Sequence, residues 1–139
     1  MSLMTTTVSP GAAPVLPQAT AGTATAFVEI RCPEGGDWLP VCTPDDLTPG
    51  RGVAALLPDG TQAALFADRA GRAYAIGNRD PFTGAQVLSR GLTGSVDGRP
   101  FVASPLLKQR FDLESGGCLD DPSVSIPVYE VRVRVRGND

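Results

Sequence analysis

The stretch T-Q-A-A-L-F-A-D-R-A-G-R-A-Y-A-I-G-N, residues 61–78, decides the fold class. It holds two apolar runs, TQAALFA (61–67) and RAYAIGN (72–78), joined by D-R-A-G (68–71). Each run is strand length, and the connection carries the Asp and Gly that let a chain reverse through positive φ, so the stretch reads as a β-hairpin. The same grammar extends outward. DWLPVC (37–42), RGVAALL (51–57), PFVASPL (100–106), KQRFDLE (108–114) and VYEVRVRV (128–135) read as strands, and PDG (58–60), VDGR (96–99) and ESGG (114–117) as Gly-bearing connections. The one helix-like piece is TPDDL, where Thr43 caps a single turn that has Pro44 at its first position. With 16 Gly and 13 Pro dividing the chain, the expectation is an all-β protein, an antiparallel sandwich or small barrel of short strands.

At 139 residues the chain has room for one ordinary domain. Residues 1–25, MSLMTTTVSPGAAPVLPQATAGTAT, carry no charge and no apolar period, and are expected to be a disordered lead before a domain at 26–139. Met4 follows Met1-Ser2-Leu3, so residues 1–3 are expected to be a cloning remnant. A net charge of −3 makes no electrostatic case for nucleic acid or anionic lipid. No run approaches the roughly 20 apolar residues of a membrane span. Cys32, Cys42 and Cys118 are odd in number and lack C-x-x-C spacing, which indicates neither a disulfide framework nor a zinc site and fits a reducing cytoplasm.

Catalytic chemistry finds little support. There is no histidine to activate a thiol or hydroxyl, and Cys42 reads as a core residue. The pairs Asp45-Asp46 and Asp120-Asp121 sit beside prolines and read as turn formers. No Gly-rich spacing carries the lysine of a phosphate cradle. In the last strand Tyr129, Val131, Val133 and Val135 alternate with Glu130, Arg132, Arg134 and Arg136. This face reads as an edge or outer strand guarded by charge, or as an arginine stripe for an acidic partner.

Two stretches remain, N-R-D-P-F-T-G-A (78–85) and S-P-L-L-K-Q-R-F-D-L-E-S-G (104–116). They resemble the two loops of a Rieske [2Fe–2S] domain, C-P-H-x-G and C-P-x-H-G, which hold the cluster by two thiolates and two imidazoles. On that frame Asp80 and Phe82 stand at the first cysteine and histidine positions and Ser104 and Leu107 at the second pair, while Pro81, Gly84 and Pro105 are kept. Two of the replacements offer no donor atom and two offer hard oxygen, so no cluster and no metal is expected on this chain. RCPEGG (31–36) imitates half a ligand motif but has no second half.

Together with WLPVC, ALF, YAIGNRDPF, LSRG and CLDD, these loops resemble the small-subunit family of the cytoplasmic NAD(P)H-dependent assimilatory nitrite reductases, over residues 26–136. The resemblance implies a Rieske-like antiparallel β-sandwich with both loops at one tip. It implies a non-catalytic small subunit associated with a large subunit that carries FAD, siroheme and an iron–sulfur centre and reduces nitrite to ammonium. The alternative is a free-standing Rieske-like module that binds another protein or a small molecule. On the Rieske frame Asp80 is expected to bridge the loops to Lys108, Ser104 or a backbone N–H, with Phe82 and Leu107 filling the vacated volume. Arg79, Phe82, Lys108, Gln109 and Arg110 are the expected partner-binding residues at the tip.

Overall fold

A computed structural model describes residues 3–7, 25–32 and 34–136. Among these there is no α-helix. Ten strands occur in the order β1 (Leu3–Thr7), β2 (Thr25–Arg31), β3 (Leu39–Cys42), β4 (Val53–Leu56), β5 (Gln62–Ala67), β6 (Ala73–Gly77), β7 (Leu92–Val96), β8 (Arg99–Ala103), β9 (Arg110–Asp112) and β10 (Glu130–Arg136). Single 3₁₀ turns lie at Pro44–Asp46 and Leu88–Arg90. The strands form three antiparallel sheets, ordered β1-β10-β2-β3, β4-β5-β6 and β7-β8-β9. Among the described residues no helix is long and apolar enough to cross a membrane.

The β5–β6 hairpin is the middle layer, which explains its composition. Ala63, Leu65, Ala67, Ala73 and Ala75 face one apolar cluster with Val28, Ile30 and Val131 from the first sheet. Ala64, Phe66, Tyr74 and Ile76 face a second cluster with Val102, Phe111 and Leu113. A strand covered on both faces cannot alternate apolar with polar residues, so it reads as a continuous apolar run. The alanines keep one of the two faces thin.

The expected connections at 58–60, 68–71 and 96–99 each close a hairpin. In the last, Asp97 (φ 51°) and Gly98 (φ 79°) are both left-handed, as a two-residue I′ connection requires. The turn at Thr43 forms as expected: the Asp46 carboxylate accepts from the Thr43 backbone N–H at 2.8 Å and hydroxyl at 3.0 Å.

Four strands differ from the sequence reading. The lead expected through residue 25 meets strand at Leu3–Thr7, a run ending in three β-branched threonines that pairs with β10. Residues 8–24 of that lead lie outside the described residues. β2 and β7 were not among the strands read from sequence: β2 is followed by the turn at Cys32, and β7 is interrupted by Gly94. Finally, β10 is not an edge, since β1 and β2 flank it. The acidic partner of its arginine face is the chain's own Glu29, which Arg132 meets at 2.6 Å and Arg134 at 3.9 Å. Arg31 pairs with Glu130 at 2.6 Å, and the guanidiniums of Arg31 and Arg132 each stack on Trp38 at about 4.5 Å.

Candidate functional site

β6 and β8 both run toward the same end of the molecule, and the loops that follow them meet there. Each loop is closed by its own backbone. In the first, the Asp80 N–H donates to the Ala85 carbonyl (2.8 Å), the Gly84 N–H to the Asp80 carbonyl (2.7 Å) and the Phe82 N–H to Asp80 Oδ1 (2.8 Å). The second repeats this wiring at the same offsets: Ser104 N–H to the Gln109 carbonyl (2.9 Å), Lys108 N–H to the Ser104 carbonyl (3.1 Å) and Leu106 N–H to Ser104 Oγ (3.3 Å). The fifth residue must turn left-handed. Gly84 does so at φ 80° without cost, whereas Lys108 does so at φ 68° against its Cβ.

The wiring occurs a third time at the opposite end of β9. The Asp112 N–H donates to the Gly117 carbonyl (2.9 Å), the Gly116 N–H to the Asp112 carbonyl (2.8 Å), and Asp112 Oδ1 accepts from the Glu114 and Ser115 N–H groups at 2.7 and 2.9 Å. Gly116 sits at φ 79°. DPFTGA, SPLLKQ and DLESGG are thus one loop used three times, although no internal repeat is visible in the sequence. The available signal was a short polar side chain followed four residues later by glycine. Lys108 hides it in the second copy.

At the tip the two loops are joined side chain to side chain. The Ser104 hydroxyl donates to Asp80 Oδ2 at 2.5 Å, and both residues are fully buried. Of the expected bridging partners for Asp80, the geometry selects Ser104 and the Phe82 N–H. Lys108 points to solvent. Phe82 and Leu107 do not fill the space between the loops: they are 37% and 54% exposed, with Leu106 beside them at 49%. Phe82 packs on the fully buried Phe111, ring centroids 6.3 Å apart.

The residues expected to bind a partner fare differently. Arg79, Phe82 and Lys108 are exposed at the tip. Arg110 is committed elsewhere, with Nη2 and Nε on the Asp120 carboxylate at 2.9 and 3.3 Å and its guanidinium 5.7 Å from the Phe101 ring. Gln109 is half-buried, and its Oε1 is buried without a hydrogen bond among the described residues. Leu106 was missed, since the sequence reading gave it no role.

The titratable groups elsewhere are structural. Burial, reinforced by Asp46, pushes the Cys42 thiol up to about 11, which keeps it protonated and inert. Burial alone would raise the Asp112 carboxyl, but the Arg99 guanidinium, at 2.6 and 3.1 Å, and the Ser115 and Glu114 N–H groups outweigh it and hold the carboxyl below the usual range. Asp121 is held low by the Ser123 hydroxyl and N–H, as a turn former is. Among the described residues no three carboxylate, thiol or imidazole groups gather at one point.

Residues 37–138 match the family described as the Rieske-like [2Fe-2S] domain. The nitrite reductase (NADH) small subunit of Salmonella typhimurium is 46% identical over 98 residues, which is 70% of this chain and 90% of that one. The chain belongs to the Rieske-like family of nitrite reductase small subunits. The solved structure of the Escherichia coli small-subunit protein NirD agrees, with 42% identity, a TM-score of 0.62, and coverage of 70% of this chain and 96% of that one. A nitrite reductase [NAD(P)H] large subunit of Klebsiella oxytoca is also similar, 39% identical over 97 residues that make up 69% of this chain but 10% of that much longer one.

Some Rieske domains hold a [2Fe–2S] cluster by two thiolates and two imidazoles. The residues of this small subunit do not fit that group. Phe82 and Leu107 have no donor atom, and the oxygens of Asp80 and Ser104 are spent on each other and on loop N–H groups.

Proposed function

We propose that this chain is the accessory, non-catalytic small subunit of a cytoplasmic NAD(P)H nitrite reductase in nitrite assimilation, and that it binds no cluster and acts by association with the large subunit. The observation that carries the proposal is that the same domain occurs in two settings: as a separate small subunit in one relative and as one tenth of a large-subunit chain in another. A domain that works in both forms is expected to work in contact with the rest of the enzyme. FAD, siroheme and the iron–sulfur centre then belong to the large subunit.

The tip supports this reading as a docking surface. Phe82, Leu106 and Leu107 are exposed together beside Pro81. Arg79 and Lys108 on the same two loops are exposed, while the acidic residue of these loops, Asp80, is buried. An aromatic and apolar centre with a cationic rim, on a chain of net charge −3, favours an apolar partner patch with an acidic border. Arg79, Phe82 and Lys108 are its proposed anchors, with Leu106 and Leu107 added; Gln109 and Arg110 stand behind them.

The test is nitrite-dependent NADH oxidation by the purified large subunit with and without this chain, together with gel filtration of the mixture. A co-eluting complex with altered nitrite turnover is expected. Independent elution and unchanged turnover would overturn the proposal. Iron bound stoichiometrically after anaerobic reconstitution of this chain alone would overturn its cluster-free part.

A further inference from the structure

Among the described residues the edge of the third sheet is left open in an unusual way. β7, Leu92–Val96, is the outermost strand of β7-β8-β9 and reads L-T-G-S-V, with no charge and no proline. Edge strands ordinarily carry charge, proline or a bulge that prevents another chain from pairing with them. This one exposes Leu92 to 72% and Val96 to 38% instead.

The register tells which backbone groups are unpaired. β7 and β8 are joined through Asp97 and Gly98, and a two-residue connection closes on a hydrogen-bonded pair, here Val96 and Arg99. Hydrogen-bonded and non-hydrogen-bonded pairs then alternate, so Ser95 opposite Pro100 and Thr93 opposite Val102 are of the second kind. Pro100 confirms the phase: it has no N–H, and its carbonyl accepts from the Leu113 N–H on the side away from β7. The N–H and C=O groups of Thr93 and Ser95 therefore point to the open edge.

Alongside that edge runs a groove of about 560 Å³. Thr93 and Ser95 line one wall, and the end of the β5–β6 hairpin with Asp68, Arg69, Arg72 and Tyr74 lines the other. The charges are unevenly engaged. Asp68 already accepts from the Tyr74 hydroxyl at 3.0 Å and the Arg72 N–H at 2.9 Å, and Glu114, also in the groove, lies 4.0 Å from Arg99. Among the described residues neither Arg69 nor Arg72 is in an ion pair.

We propose that β7 is a strand-addition site, which receives an extended segment of the large subunit whose inward side chains are acidic and whose outward side chains are apolar. Side chains of an added strand alternate. Those on the inner face would enter the groove toward Arg69 and Arg72, and those on the outer face would cover Leu92 and Val96. Main-chain hydrogen bonds to Thr93 and Ser95 give such an addition its affinity, and the alternating contacts give its specificity. A second copy of this chain is disfavoured as occupant. Its own β7 would bring Thr93 and Ser95, not carboxylates, to the groove. Leu92 pairs with Ala103, next to Ser104, so the site is continuous with the tip.

The inference rests on association with the large subunit, and the experiment separates the two. Affinity of the full chain for the purified large subunit is measured for the unmodified protein, for Ser95→Pro and for Arg69→Glu/Arg72→Glu, with amide exchange of Thr93 and Ser95 followed in the free and bound chain. Ser95→Pro removes an N–H that no strand among the described residues uses. Expected are at least tenfold weaker binding for both variants at unchanged melting temperature, and at least tenfold slower exchange of the two amides in the complex. Equal affinity of a folded Ser95→Pro, or unchanged exchange on binding, overturns strand addition while leaving the subunit reading intact. Should Ser95→Pro not fold, Leu92→Lys takes its place with the same expected and overturning outcomes. Slower exchange that depends on the concentration of this chain alone would assign the edge to a second copy and also overturn the proposal. No association of the unmodified chain overturns both readings.

Discussion

Replacing Asp80 and Ser104 separately and together by alanine should reveal that one hydrogen bond holds the tip. Asp80→Ala leaves the Ser104 hydroxyl without its acceptor at a site that water does not reach, since Ser104 is 0% exposed. An unsatisfied buried hydroxyl costs about 1–3 kcal/mol, and the lost bond from the Phe82 N–H adds about 0.5–1.5 kcal/mol. The sum is about 1.5–4.5 kcal/mol, or a fall in Tm of roughly 6–18 °C at about 4 °C per kcal/mol for a domain of this size. Ser104→Ala leaves Asp80 Oδ2 buried and unpaired, with a cost of about 2–3 kcal/mol by the same reasoning. In the double variant neither partner is orphaned. It should be less destabilised than the two single effects added, by a coupling of about 1–3 kcal/mol. Urea unfolding followed by the fluorescence of Trp38, the single tryptophan, measures all four corners of the cycle. Additivity to within about 0.5 kcal/mol would refute the clamp.

The left-handed Lys108 should be relieved by glycine: Lys108→Gly removes about 1–2 kcal/mol of backbone strain and loses about 0.4–1 kcal/mol to unfolded-chain entropy, so a net stabilisation of about 0–1.6 kcal/mol is expected in the same urea assay. Gly116→Ala should be costlier than Gly84→Ala, because a Cβ at 116 would run into the Ile126 carbonyl whereas at 84 it meets only the end of Arg79; melting temperatures of the two variants check the order. The Asp112 carboxyl is held low in the folded chain, so the unfolded chain binds more protons in the acid range and the stability it contributes is present above about pH 4 and lost as the pH falls through the folded value. Asp112→Asn should therefore be less stable than the parent at pH 7 and lose less on going to pH 3. At pH 8 a thiol reagent should modify the exposed Cys32 quickly, and Cys42 and Cys118 only on unfolding, because the first is raised to about 11 and the second is buried; titrating thiols before and after denaturant checks this.

Much of this protein is legible along the chain because it is decided within a few residues. The positive φ of Asp97 and Gly98, the capped turn at Thr43 and the hairpin of residues 61–78 follow from local sterics and hydrogen bonds, which neighbouring residues largely determine. The frame of the two tip loops was legible through its resemblance to the Rieske loops, of which Pro81, Gly84 and Pro105 are kept. Contacts between distant residues were another matter. That Asp80 would meet Ser104, 24 residues away, and not Lys108, depended on how closely β6 and β8 bring their loops together. That Leu107 would be exposed and Phe82 would pack on Phe111 was likewise decided at a distance, because packing direction is set by the space that other elements leave. Two-sided burial turned the alanine-rich runs of β5 and β6 into a middle layer, and Glu29 took up the arginines of β10, contacts that cannot be seen from either strand alone. That the loops at Asp80, Ser104 and Asp112 are one loop used three times was established by their hydrogen-bond wiring, since the polar-to-glycine spacing shared by the first and third is broken by Lys108 in the second.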